Sequence, residues 1–342
     1  MKAVIFREHG GIDRFQYTDV PEPALGDDDV LVAVKACSIN HLDVWVRQGI
    51  PAYKIPLPHI TGSDVAGVVA AVGTRVTQVH AGDRVIAAPG ISCFGCEWCA
   101  AGDDNLCSNF QIRGAQVDGG YAQFARARAI DCLPIPASLT FEQAAAFPLV
   151  FLTAWHMLIA RCRLRAGETV LVLAGGSGIG SAAIQVAKLA GARVLATVGD
   201  DAKASPARAL GAEPVINYTR DDFALAARKA TGGRGVDVVF EHVGPATWDT
   251  SLKALAKGGR LVTCGSTTGP EAVCDLRYVF SRQLNILGSI MGTRADLLTV
   301  TRLLGEGRLR AVIDTVFPLR DAAAAHERLL ARDHFGKFVL TP

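Results

Sequence analysis

Four cysteines, Cys93, Cys96, Cys99 and Cys107, form a C-x2-C-x2-C-x7-C run inside one short polar stretch. No other feature limits the fold of this chain so tightly. Spacing of this kind brings four thiolates to one metal ion, and four sulfur ligands leave a tetrahedral ion no open position. The loop 93–107 is expected to hold a structural zinc, whose binding energy is folding energy for the loop itself. Nine cysteines in all, with five scattered outside the run, fit reduced thiols in the cytoplasm better than a disulfide framework.

At 342 residues the chain exceeds one ordinary core, so two domains are expected. A net charge of +2 leaves no electrostatic footprint for nucleic acid. No secretory leader is read at the start, where Lys2 opens a strand-like apolar run. The longest nearly apolar run, residues 144–160, contains Pro148, Thr153 and His156, which predicts a buried segment rather than a membrane span.

The first third alternates with period two, as in Val30, Val32 and Val34, and Gly and Asp punctuate short strands at 65–72 and 84–88. This predicts a β-rich domain, a small barrel or sandwich. Asn40 reads as the N-cap of one helix that ends at Gly49, with Asp43 completing the cap. From residue 169 the pattern changes. Apolar strands at 169–174, 192–198, 213–217, 236–240, 260–264 and 284–288 alternate with helices. Such near-continuous apolar strands predict a doubly wound parallel sheet covered on both faces. After about residue 292 come a helix, a strand near 313–317, a second helix and a closing strand at 336–340, which are expected to rejoin the first domain.

The strand at 169–174 runs into Gly175, Gly176, Ser177, Gly178, Ile179 and Gly180, and a helix with Ile179, Ala183, Val186, Ala187 and Ala190 on one face follows. Glycines there let the backbone approach a pyrophosphate seated on the helix N-terminus, although Ser177 replaces the second Gly of the strict fingerprint. An acid at the tip of the next strand would grip a ribose 2′-hydroxyl. That strand ends Thr197-Val198-Gly199, and Lys203 is placed to meet a 2′-phosphate, so NADP is favoured over NAD. Asp200 and Asp201 argue for NAD unless they cap the next helix.

These motifs, with Asn40-His41-Leu42-Asp43-Val44-Trp45, the stretch Gly62 to Gly73 and the segment Pro148 to Ala154, resemble the medium-chain dehydrogenase/reductase superfamily over essentially the whole chain. The resemblance implies a GroES-like catalytic domain over 1–150 and 292–342, a Rossmann domain over 151–291, hydride transfer with a nicotinamide, and a homodimer or homotetramer. The quinone oxidoreductase branch is the nearer match. The superfamily's alcohol dehydrogenases carry a second, catalytic zinc. Its ligand positions map here to Cys37, Ser63 and the neighbourhood of Leu149, of which only the first can ligate. His59 and His41 are nearby substitutes, and Cys37 also suits a small core residue.

Three functions follow as expectations. The first is an NADP(H)-dependent oxidoreductase that reduces a quinone, enone or related carbonyl with one structural zinc. The second is a zinc alcohol dehydrogenase with shifted ligands. The third is an NADPH-binding interaction protein without turnover. The expected catalytic residues are Asn40, Asp43 and Tyr53. The expected cofactor contacts are the 175–180 loop, Thr153, Lys203, Tyr218, Val243, Gly265 and Ser266. Glu241 and His242 end a strand where the backbone should meet cofactor, and His156 is expected in the core.

Overall fold

The computed structural model describes all 342 residues. The chain divides into two compact units, Met1–Leu149 with Thr293–Pro342, and Val150–Gly292.

In chain order the main strands are β1 (Asp29–Ser38), β2 (Asp64–Val72), β3 (Arg84–Ala87), β4 (Phe124–Arg128) and β5 (Cys132–Pro134). Then follow β6 (Thr169–Val172), β7 (Arg193–Val198), β8 (Val215–Asn217), β9 (Val236–Glu241), β10 (Leu255–Thr263) and β11 (Asn285–Gly288). The last two are β12 (Ile313–Pro318) and β13 (Lys337–Thr341).

The first unit is built on a seven-stranded sheet of order β12-β13-β1-β2-β3-β5, with β4 also paired to β1. Its pairings are antiparallel except β12 with β13. On β1 the period of two is real: Val30, Val32 and Val34 are buried, and they join Val65, Val85, Tyr121 and Phe338 in one core. Helix α1 (His41–Gln48) leaves the end of β1, with Asn40 at its N-cap and Gly49 closing it at φ 97°. Beyond β1, a glycine with such a φ avoids the Cβ clash an L-residue meets there.

The second unit holds a six-stranded sheet of order β8-β7-β6-β9-β10-β11, parallel throughout. The chain winds outward from β6 to β8, returns, and winds the other way from β9 to β11. The crevice at the carboxyl ends of β6 and β9 is therefore the switch point where open α/β sheets bind ligands. Leu171, Leu195, Val239 and Leu261 are fully buried between the helical layers.

The apolar run 144–160, expected as a buried segment, is divided among several short elements. A short helix at Phe141–Ala145 is followed by α2 (Pro148–Trp155), which opens on its proline, and then by a π-helical turn at His156–Arg161. No helix is long and apolar enough to cross a membrane. Helix α3 (Gly178–Leu189) buries every residue from Gly180 to Ala187, not one face, because small side chains let it sink between its neighbours.

Candidate active site

The glycine loop is tied down from all sides. Ala174 N–H donates to Thr197 Oγ1 at 3.0 Å and Gly175 N–H to Thr197 O at 2.7 Å. Ser177 caps α3: its Oγ accepts from Gly180 N–H at 3.0 Å and donates to Ala174 O at 2.8 Å. A Cβ on Gly180 would lie 2.2 Å from the Ala174 carbonyl oxygen, so only glycine lets helix and strand approach this closely. The N–H groups of Gly178 and Ile179 open the helix and find no acceptor four residues back. Unspent donors and the helix dipole suit a pyrophosphate.

Other expected cofactor residues of this unit also stand at strand ends. Tyr218 follows β8, and its hydroxyl lies 2.8 Å from where a Cβ on Gly199 would be. Asp200 accepts from Lys203 N–H at 3.0 Å and pairs with its ammonium at 3.2 Å, in the turn just before the short helix Ala204–Ala209. Asp201 is held by Arg220 and by Asn217. Val243 donates its N–H to Glu241 Oε1 at 2.6 Å and accepts from Thr268 N–H at 2.9 Å. Glu241 is buried and also takes Gly244 N–H and Thr247 Oγ1, which makes it the brace of this turn. A Cβ on Gly244 would touch Ser266 at 3.0 Å, so the turn after β9 abuts Gly265 and Ser266 after β10. Thr153 on α2 is buried, and its hydroxyl has no partner within the chain. An orphaned buried hydroxyl and free helix-start N–H groups are what a bound dinucleotide would satisfy.

The first unit places its expected residues unequally. Asn40 and Asp43 meet in a buried polar cluster. Asn40 Nδ2 donates to Asp64 Oδ2 at 2.8 Å, and Asn40 Oδ1 accepts from Lys337 Nζ. Asp64 further accepts from Ser38 Oγ at 2.9 Å and Leu149 N–H at 2.8 Å, and faces Lys337 Nζ at 3.5 Å. Asp43 accepts from four donors: Asn40 N–H at 2.8 Å, Thr61 Oγ1 at 2.9 Å, Gly62 N–H at 3.1 Å and Tyr121 OH at 3.2 Å. Tyr121 in turn meets His326 Nε2 at 3.0 Å. Complete burial pushes the Asp43 carboxyl up to about 6 despite those donors, and burial pulls Lys337 below the ordinary lysine range. With four donors on its carboxylate and no exposed surface, Asp43 braces this cluster. Tyr53 lies in the bend after α1, partly buried, with its N–H donating to Ile50 O at 2.9 Å. Lys337, Asp64, Tyr121 and His326 were missed by sequence reasoning. A lysine heading an otherwise apolar strand was the one signal available.

The ligand set mapped for a catalytic zinc does not fit a metal. Cys37 points into the core, with its sulfur 2.8 Å from where a Cβ on Gly62 or Gly120 would be, and burial raises its thiol far above the usual range. Ser63 is buried with an unpartnered hydroxyl, and Leu149 offers only its N–H. His59 binds the Gly114 carbonyl at 3.1 Å.

The loop cysteines do fit one. The sulfurs of Cys93, Cys96, Cys99 and Cys107 all lie within 4.8 Å of one another, with Cys96 and Cys99 3.6 Å apart. A zinc tetrahedron with bonds of ~2.3 Å has edges of roughly 3.8 Å. Backbone N–H groups of Cys93, Gly95 and Asn109 point at the sulfurs. The backbone N–H groups of Cys99 and Ser108 draw Cys96 down to about 6, while desolvation and the crowded sulfurs push Cys99 up to about 12. A dication among them removes that opposition.

Two family descriptions match this chain: an alcohol dehydrogenase GroES-like domain over residues 26–137 and a zinc-binding dehydrogenase over 178–306. A crotonyl-CoA carboxylase/reductase of Cereibacter sphaeroides is 33% identical, covering 97% of this chain and 84% of its own. The quinone oxidoreductase of Rattus norvegicus is 30% identical, covering 99% and 97%. Among solved structures, an NAD-dependent alcohol dehydrogenase superposes with a TM-score of 0.96 at 45% identity over the full length of both chains.

Proposed function

This chain belongs to the medium-chain dehydrogenase/reductase superfamily, and from that premise we propose that it passes hydride from NADPH to a conjugated carbonyl acceptor, a quinone or an enone, with a single, structural zinc. That it is an NAD(P)-dependent oxidoreductase follows from its relatives. The finer reading rests on one observation. Cys93, Cys96, Cys99 and Cys107 are the one group of three or more metal-donor side chains that converge, whereas Asn40, Ser63 and Asp64 occupy the buried cluster of the first unit.

The dinucleotide, when bound, supplies or takes up hydride at its nicotinamide ring. This chain's residues do the rest. Gly178 and Ile179 hold the pyrophosphate by their N–H groups, and Thr153 offers its hydroxyl to the carboxamide. Tyr218 and Lys203 receive the 2′-phosphate, for which Lys203 exchanges part of its pairing with Asp200. Asn40 donates its remaining Nδ2 hydrogen to the acceptor's carbonyl oxygen. Hydride adding to a conjugated system spreads the negative charge, so a neutral donor suffices to hold that oxygen until a proton arrives from solvent. The products are a saturated carbonyl from an enone and a hydroquinone from a quinone.

A second reading, a zinc alcohol dehydrogenase using NAD, is favoured by the 45% identical structure. Metal analysis with an acceptor panel separates the two. NADPH oxidation by a para-quinone or a 2-enal at one zinc per chain supports the first. NADH-linked turnover of a simple aldehyde at two zincs overturns it.

The nine unpaired cysteines support a reducing, cytoplasmic setting. Strand β11 ends the parallel sheet with an open edge, and Ile286 on it and Leu276 and Phe280 on the helix before it are exposed. An open apolar edge is a liability that pairing with a second copy removes, which supports a dimer.

A further inference from the structure

Three side chains from distant stretches meet inside the first unit: Asn40 at the end of β1, Asp64 at the start of β2 and Lys337 at the head of β13. We propose that Lys337, acting with Asp64, is a positioning residue that fixes which way the Asn40 amide faces and so which Asn40 hydrogen is left for substrate. This rests on the hydride-transfer reading above, in which Asn40 holds the acceptor oxygen.

The two ends of a carboxamide have nearly the same shape, so its partners decide its orientation. Lysine only donates, and an ionised carboxylate only accepts. Lys337 Nζ faces Asn40 Oδ1, and Asp64 Oδ2 faces Asn40 Nδ2 at 2.8 Å. Reversing the amide would set NH2 against ammonium and oxygen against carboxylate. All three are buried, with 4% of Lys337, 0% of Asp64 and 6% of Asn40 exposed, so water does not substitute for a lost partner. The clamp is itself anchored. Ser38 and Leu149 hold the Asp64 carboxylate. The antiparallel register pairs Val339 with Ser38 and Leu340 with Cys37, which brings Lys337 opposite Asn40. One Nδ2 hydrogen remains unspent. At the same end of the strand pair the Ser63 hydroxyl is buried and unpartnered, a second polar group lacking an acceptor or donor inside the chain. Two such groups, one of them held in a fixed orientation, are suited to a substrate oxygen.

The test uses the zinc-loaded protein with NADPH and a para-quinone or 2-enal. K337M keeps the stem and removes the donor. Its kcat should fall about 10- to 100-fold, as for a misplaced reacting group, with the KM for NADPH within about twofold. K337R, which keeps charge and donors, should recover most of the loss. Because K337M leaves Asp64 unpaired and can misfold, D64N/K337M removes both charges, and it should melt near the wild type yet stay slow. A folded K337M or double variant at wild-type kcat overturns the clamp. N40A should be as slow as K337M. N40A at wild-type kcat removes Asn40 from the reaction and the clamp with it, whereas a wild type that reduces neither acceptor overturns the proposed function itself.

Discussion

Asp43 is a fully buried carboxylate whose hydrogen bonds tie separate stretches of the first unit together. Its four donors hold the turn at Thr61 and Gly62 against the start of α1, yet complete burial raises its carboxyl to about 6. The unfolded chain loses that proton near its ordinary value of about 3.9. Between about pH 4 and 6 the folded chain binds the extra proton, so the stability this group contributes is greatest on the acid side and declines as pH rises through that window. Asn at this position carries no such proton. The melting difference between D43N and the wild type should move in favour of D43N from pH 4 to 7, by roughly 3 kcal/mol at most. A difference that stays constant with pH would contradict this. Cys37 teaches the complementary lesson. Three residues from Asn40, it is turned into the core by the register of β1, and that register was not visible in the spacing alone.

At the scale of elements, what is local was legible and what is distant was not. The period of two on β1, the Asn40 and Gly49 boundaries of α1, the cysteine spacing and the glycine loop are each set by neighbours within a turn or two, and each appears where the sequence puts it. The contact between Lys337 and Asn40 spans 297 residues and exists because β13 happens to pair with β1. The break of the 144–160 run into two helices and a π-turn likewise depends on packing rather than propensity. The junction of β6 and α3 gives the sharpest test at this scale. Alanine at Gly180 would place a Cβ 2.2 Å from the Ala174 carbonyl oxygen. G180A should cost about 1–3 kcal/mol of stability as overpacking does. It should also weaken dinucleotide binding about tenfold or more by displacing the N–H groups of Gly178 and Ile179, a loss of roughly 1.4 kcal/mol for each factor of ten. Calorimetry with NADPH that finds wild-type affinity would show that the loop does not cradle the cofactor.

For the whole molecule, the proposed function gives zinc a structural role and leaves the hydride step to the cofactor and the chain's own donors. Assembly is its outward consequence. If a second copy covers β11, I286K should leave a folded, zinc-loaded chain whose light-scattering mass is that of one chain, while the wild type has at least twice that mass. A wild type of single-chain mass would remove the edge-pairing argument. The inward consequence concerns metal. The four cysteine sulfurs converge on one site, whereas the positions mapped for a second ion hold Cys37, turned into the core, Ser63, and Leu149, which offers only its N–H. The zinc content of purified protein that actively reduces its acceptor tests this most directly. The account predicts one zinc per chain, and two per chain would contradict it.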